Sequence, residues 1–167
     1  MENQRLINSS IVGGTVSALL FSIPFLNIVN CFCCAGIMLG GAVALVYYDR
    51  SFEIREYISP ASALTVGLVS GLAGAFIAII VDGMIFTIFG NWELELVNIL
   101  NESLGEFPEM ADAMEELVYE MELEASKGFY IGRVLLELVR NLIIIPIFSV
   151  AGALITRIFL NKNRQNN

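Results

Sequence analysis

The chain has no histidine, so the commonest general base, the commonest metal ligand and the side chain that titrates nearest neutral pH are all missing. Basic residues are scarce as well: nine Lys and Arg stand against seventeen Asp and Glu, for a net charge of −8 over 167 residues. With no basic stripe to neutralise phosphates, a nucleic-acid partner is excluded. Cysteine occurs only as Cys31, Cys33 and Cys34, with no second cysteine pair and no histidine to complete a tetrahedral zinc site. The motifs G-x-S-x-G, H-E-x-x-H, the P-loop and the D-x-D-x-D-G calcium loop are absent. No catalytic constellation is left, and the expectation is a protein that is not an enzyme and holds no cofactor. The first ten residues, MENQRLINSS, carry one basic residue and lead to no small-residue cleavage site, unlike a secretory signal peptide.

What the chain has in excess is apolar length. Apolar residues make up 56% and charged residues 16%, against roughly 45–50% and about 25% in globular proteins. Four stretches, at about 7–25, 31–48, 60–82 and 140–160, meet the roughly 20 residues a helix needs to cross a hydrocarbon core of about 30 Å. The first starts at Leu6 or Ile7 and includes Ser9, Ser10, Thr15, Ser17 and Ser22 before Pro24 and Asn27 interrupt it. The second carries no charge. The third opens at Pro60, a favoured first-turn residue, and its helix is expected to run on to about residue 90, past Asp82. The fourth belongs to a longer apolar run from Phe129 to Leu160, in which Pro146 removes a backbone donor and predicts a kink. A helix in a soluble protein needs a polar face, and the second and third stretches have none.

Orientation follows from Lys and Arg in the short flanks. With four spans, the N-terminus, the 49–59 connection and the C-terminus share a side that holds Arg5, Arg50, Arg55, Arg157, Lys162 and Arg164. The other side has Lys127 and Arg133, with Arg140 at its edge. Both termini are therefore expected in the cytoplasm. Eleven of the seventeen acidic residues fall between Glu93 and Glu124, on the opposite side. There Leu94, Val97, Leu100 and Leu104 repeat at helical spacing, Gly105 and Phe107-Pro108 break the pattern, and Met110, Met114, Leu117 and Met121 form a second stripe. The segment 91–127 thus reads as two amphipathic helices forming an acidic cap.

Three groups of residues are candidates for a role. Counting about 20 residues outward from Pro60 and back from Leu160 brings Asp82 and Arg140 to one depth at the outer interface. Ionisable groups in spans tend to find partners, so these two are expected to form a structural ion pair, with Glu137 and Arg133 on the same face of the fourth helix. Cys31 and Cys34, three apart on a helix, share a face that Cys33 leaves; the three are weak metal or disulfide candidates, or simply small apolar residues. Gly36, Gly40 and Gly41 in the second stretch and Gly67, Gly71 and Gly74 in the third are spaced for close helix packing in lipid. That packing is expected inside one bundle, with a homo-oligomer face as the alternative.

The residues SIPFLNIVNCFCCAGIMLGGAVALVYY and SPASALTVGLVSGLAGAF resemble small polytopic prokaryotic membrane proteins. In these a Pro-x-x-Asn turn precedes an Asn-Cys-x-Cys-Cys segment and a Gly-Gly helix. The matching positions are Pro24, Asn27, Asn30, the three cysteines, Gly40 and Gly41, then Gly67, Gly71 and Gly74. The resemblance covers the first half of the chain and implies topology, not an activity.

The expected fold is all-α: a four-span transmembrane helical bundle with an acidic two-helix extramembrane cap. Residues 1–90 hold spans one to three, 91–127 the cap, and 128–167 the fourth span and a basic tail. The expected setting is the plasma membrane, crossed several times, with both termini cytoplasmic, the 91–127 segment extracytoplasmic and the lipid bilayer as partner. The expected role is structural or in assembly. Two alternatives are a small-solute or cation transporter or channel component, because Gly-rich helices can line a pore and an acidic cap concentrates cations, and a thiol-redox or metal-binding protein acting through Cys31, Cys33 and Cys34.

Overall fold

A computed structural model describes residues 2–23, 34–51, 57–90, 94, 97–99, 116, 118–123, 126 and 131–165, with no strand among them. Four helices dominate: α1 (Glu2–Ser22), α2 (Ala35–Arg50), α3 (Pro60–Phe89) and α4 (Ile131–Gln165). The chain divides into two compact units, Met1–Asp82 with Leu135–Asn167, and Gly83–Val134.

Local chemistry sets the helix ends. Pro60 is the first residue of α3, and Ser59 caps it: the Ser62 amide donates to Ser59 Oγ at 3.0 Å and the two hydroxyls lie 2.9 Å apart. A serine cap followed by proline satisfies an orphan amide and supplies a preset φ. At the other end Gly90 takes φ 69° and its amide donates to the Phe86 carbonyl at 2.9 Å, a left-handed C-terminal stop that glycine adopts at little cost. Ser51 closes α2, its hydroxyl donating to the Tyr48 carbonyl at 2.6 Å. α1 ends at Ser22 and not near residue 25, because Ile23 precedes proline and that position disfavours the α region. α1, α2 and α4 run past the apolar boundaries at 7, 48 and 160, since backbone hydrogen bonding continues where hydropathy stops.

In the larger unit the helices alternate in direction. Contacts of Gly13 with Gly40 and Ala44 join α1 to α2, Gly14 with Gly74 joins α1 to α3, Gly41 with Ser149 joins α2 to α4, and Gly71 with Pro146 joins α3 to α4. The core has three levels. One apolar cluster holds Ala44, Leu45, Ile58, Ala63, Val66 and Ala153; a second holds Ala18, Ile37, Ala75, Ala78 and Ile145. Between them on every helix lie only small residues or proline on the inward face: Gly13 and Gly14; Gly40 and Gly41; Gly67, Ser70 and Gly71; Pro146, Ser149 and Gly152. We call this level the waist.

Many large apolar side chains are outside. Leu64, Leu68, Leu72, Phe76 and Ile80 line one exposed stripe of α3, and Ile143, Ile147, Ile155, Ile158 and Phe159 are exposed on α4. Two helices, α3 and the 134–165 part of α4, are long and apolar enough to cross a membrane, yet only 39% and 28% of their most apolar stretches are buried. α2 has 16 helical residues, about 24 Å, less than the roughly 30 Å of a hydrocarbon core.

In the smaller unit α3 and α4 supply their outer turns. The described residues between them are helical: Leu94, Val97–Ile99, Glu116, Val118–Leu123 and Ser126. Glu116, Glu120 and Glu122 are exposed while Val118 and Met121 are half-buried, an amphipathic division. Met110, Met114 and Leu117 lie outside the described residues.

Candidate functional site

The candidate site is the waist, because it gathers polar groups where the rest of the core is apolar. Glycine makes it possible. A Cβ built on Gly14 would lie 2.8 Å from the Gly74 nitrogen, and one on Gly67 would lie 2.8 Å from the Val150 Cα. Cβ atoms on Gly41 and Gly152 would run into the carbonyl oxygens of Ser149 and Met38, and one on Gly71 into the Pro146 Cα. The helices meet backbone to backbone, as small residues permit.

Most hydroxyls in the larger unit find a carbonyl. Exposed Thr15 and Thr65 donate to the carbonyls of Ile11 and Ala61 four residues back, at 2.8 and 2.9 Å. Ser9 donates to Leu6 at 2.9 Å, and Ser17 crosses between helices to the Ile37 carbonyl at 3.3 Å. Three serines behave differently: Ser10, Ser70 and Ser149, exposed by 1%, 0% and 0%, have no hydrogen-bond partner for Oγ. They come from α1, α3 and α4. Ser70 Oγ points at α1, 2.7 Å from where a Gly13 Cβ would be, and the Ser149 carbonyl faces Gly41 and Gly67. Ser10 is three residues before Gly13 on the same buried face. A buried hydroxyl without a partner costs about 1–3 kcal/mol, so Ser70 and Ser149 in the waist, with Ser10 about one turn away on α1, form an unsatisfied donor and acceptor set. Asn141, fully buried beyond the second apolar cluster, has neither its amide nitrogen nor its oxygen bonded.

The end of the larger unit that carries the starts of α1 and α3 and the ends of α2 and α4 is polar and tightly tied. Asp49, 6% exposed, pairs with Arg164 across 115 residues of sequence. Asn161 holds Ile58 twice, accepting from its amide at 3.1 Å and donating to its carbonyl at 3.0 Å. Arg157 donates to the Ile58 carbonyl at 2.9 Å and to the Tyr57 hydroxyl at 3.1 Å, with its guanidinium 5.5 Å from the Tyr57 ring centre. Beside this clamp a cavity of about 230 Å³ opens between α1, α2 and α3, lined by Asn3, Leu6, Tyr48, Ser62, Thr65 and Val66 among others.

At the opposite end the Ser22 hydroxyl reaches the Ala78 carbonyl at 3.5 Å, and the Arg140 guanidinium lies 5.7 Å from the Phe21 ring centre. Asp82 lies one turn beyond Ala78 and is half-buried, as is Glu137. The side chain of Arg133 lies outside the described set, as do Cys31 and Cys33. Cys34 precedes α2 in a left-handed conformation at φ 58°, so the shared helical face expected for Cys31 and Cys34 does not extend to it. Among the described residues no three His, Cys, Asp or Glu side chains gather as metal ligands do. Gly36, Gly40, Gly41, Gly67, Gly71 and Gly74 are all buried.

Sequence reasoning missed the Asp49–Arg164 pair, the Asn161 clamp, Gly152 and the unpartnered serines. The ion pair had a weak signal, an acid and a base at the same ends of two apolar runs. The serines had none, because a serine that bonds its own helix and one that does not look identical in sequence. No family profile, curated protein or solved structure matches this chain, so its own geometry carries the functional reading.

Proposed function

We propose that this chain is a multi-pass membrane protein of structural or assembly role in which all four helices lie in the bilayer. The termini and the 49–59 connection face the cytoplasm and the acidic 91–127 segment lies outside. One observation carries the reading: glycine, alanine and serine occupy most buried positions, while most of the exposed large apolar side chains are leucine, isoleucine and phenylalanine. In water that arrangement forfeits the burial that drives folding; in lipid, packing of small residues holds helices together and large apolar residues meet acyl chains. The exposed threonines that close on their own helices fit a medium with no water to bond. The basic residues Arg50, Arg157, Lys162 and Arg164 at one end support the sidedness.

The test is carbonate washing and vesicle flotation of the expressed protein, followed by labelling with a membrane-impermeant maleimide. In a background lacking Cys31, Cys33 and Cys34, a single cysteine replacing Ser126 should label from outside and one replacing Asn163 only after permeabilisation. Release into the supernatant sinks the membrane reading, and reversed labelling sinks the orientation.

A second reading, transport of a small solute, is favoured by the three unpartnered hydroxyls. Ser70 is ten residues from Pro60, about 15 Å along the helix and so near the middle of a core about 30 Å thick. Transporter sites commonly lie at that depth, between helices whose regular bonding is interrupted. Solute flux in proteoliposomes above that of protein-free vesicles is the result that selects it over a structural role.

A further inference from the structure

The waist has an organisation that identifies what it would hold. It is bounded above and below by apolar clusters, one around Val66 and Ala153 and the other around Ile37 and Ile145. Within it the hydroxyls of Ser70 and Ser149 can address a ligand, each buried and each with its hydrogen-bonding capacity unused, and the equally unused hydroxyl of Ser10 lies about one turn away on α1. Pro146 has no amide to donate, so one helical hydrogen bond is missing beside the waist, towards Leu142 at the second apolar cluster. The charged side chains described in this unit lie towards the two ends: Arg5, Asp49, Arg50, Arg157, Lys162 and Arg164 at one, Asp82, Glu137 and Arg140 at the other.

From this we infer that the waist is an occluded site for a small uncharged solute bearing hydroxyl or amide groups, with the two apolar clusters as its gates. The inference rests on the transport reading above and names the substrate class. Hydroxyls both donate and accept, so these unpartnered hydroxyls match a solute that also does both. A metal cation would have to shed its water for a cage of oxygens that these hydroxyls do not complete. An anion finds no cationic side chain at this level. The glycine contacts close the waist in this structure, so a solute enters when the helices part at one cluster, and the other cluster then keeps the path sealed.

The experiment uses the full chain in proteoliposomes, with incorporation checked by flotation, and follows swelling by stopped-flow light scattering with glycerol and urea as probes. Parallel vesicles report potassium flux by a trapped dye. Glycerol or urea should equilibrate several-fold faster than in protein-free vesicles, without matching potassium entry. The double variant Ser70→Ala, Ser149→Ala should lose most of that acceleration with an unchanged or higher Tm, since it deletes hydroxyls that bond to nothing. A merely structural role for these serines predicts a lower Tm with flux intact. No acceleration by the native chain overturns the inference. So does flux that survives in the double variant, and so does potassium entry as fast as glycerol entry. Failure to float overturns the membrane reading itself, and is seen before any flux is measured.

Discussion

The α2–α4 contact allows a prediction with its magnitude worked through. Gly41 faces the Ser149 carbonyl and Gly152 faces the Met38 carbonyl, so two residues three apart on α2 meet two residues three apart on α4 where the helices cross. A methyl group at either glycine meets backbone, which cannot rotate away as a side chain can. The helices must then separate over the whole crossing. Overpacking of this kind costs about 1–3 kcal/mol, and the backbone obstacle places Gly41→Ala and Gly152→Ala toward the upper end, at about 2–3 kcal/mol each. For a chain of this length that corresponds to a fall in Tm of roughly 2–4 °C per kcal/mol, or about 4–12 °C. Both substitutions act on one distance, so the first to open the crossing relieves the second. Gly41→Ala with Gly152→Ala should therefore cost less than the sum by about 1 kcal/mol or more, within the range seen for residues in contact. Thermal unfolding of the purified protein in detergent measures all three variants. Singles as stable as the native chain would refute the backbone contact. A fully additive double would refute the shared separation.

Other outcomes follow from the polar ends. Replacing Arg164 with Met leaves Asp49 buried without its partner and should cost about 2–4 kcal/mol, somewhat below a fully buried pair because Arg164 stays 20% exposed; Asp49→Asn combined with Arg164→Gln should recover part of that loss in the same Tm assay. Asn161→Leu removes both bonds to Ile58, leaving its buried amide unmet while its carbonyl keeps the Arg157 donor, and should cost about 1–3 kcal/mol. If instead Asn161→Leu is neutral, the clamp does not hold the Tyr57–Ser59 segment. At the far end, Asp82→Arg and Arg140→Asp should each lower the yield of folded protein and together restore it; a double variant no better than the singles removes the proposed ion pair.

Much of the helical pattern could be read from the residues themselves. Ser59-Pro60 opens α3 and Gly90 ends it, and both signals are chemistry of a few neighbouring atoms. The long apolar run of α3 was likewise visible, because hydropathy is a property of composition. The glycine spacing showed that close packing was intended without showing between which helices. Gly41 against Ser149 and Gly71 against Pro146 join positions about a hundred or fewer residues apart whose register depends on how each helix is rotated. A lack of side-chain bulk specifies closeness and no partner.

The amino-acid order by itself determined that the chain is helical, that its apolar share exceeds the globular norm, and that no histidine-based chemistry is open to it. These are local or compositional matters, settled by backbone propensity and by which side chains exist. Tertiary structure decided that Asp49 meets Arg164, that Asn161 grips Ile58, and that Ser10, Ser70 and Ser149 are buried without partners. Each of these turns on the relative rotation and height of helices, and shifting one helix by a single turn would give every such group a different neighbour.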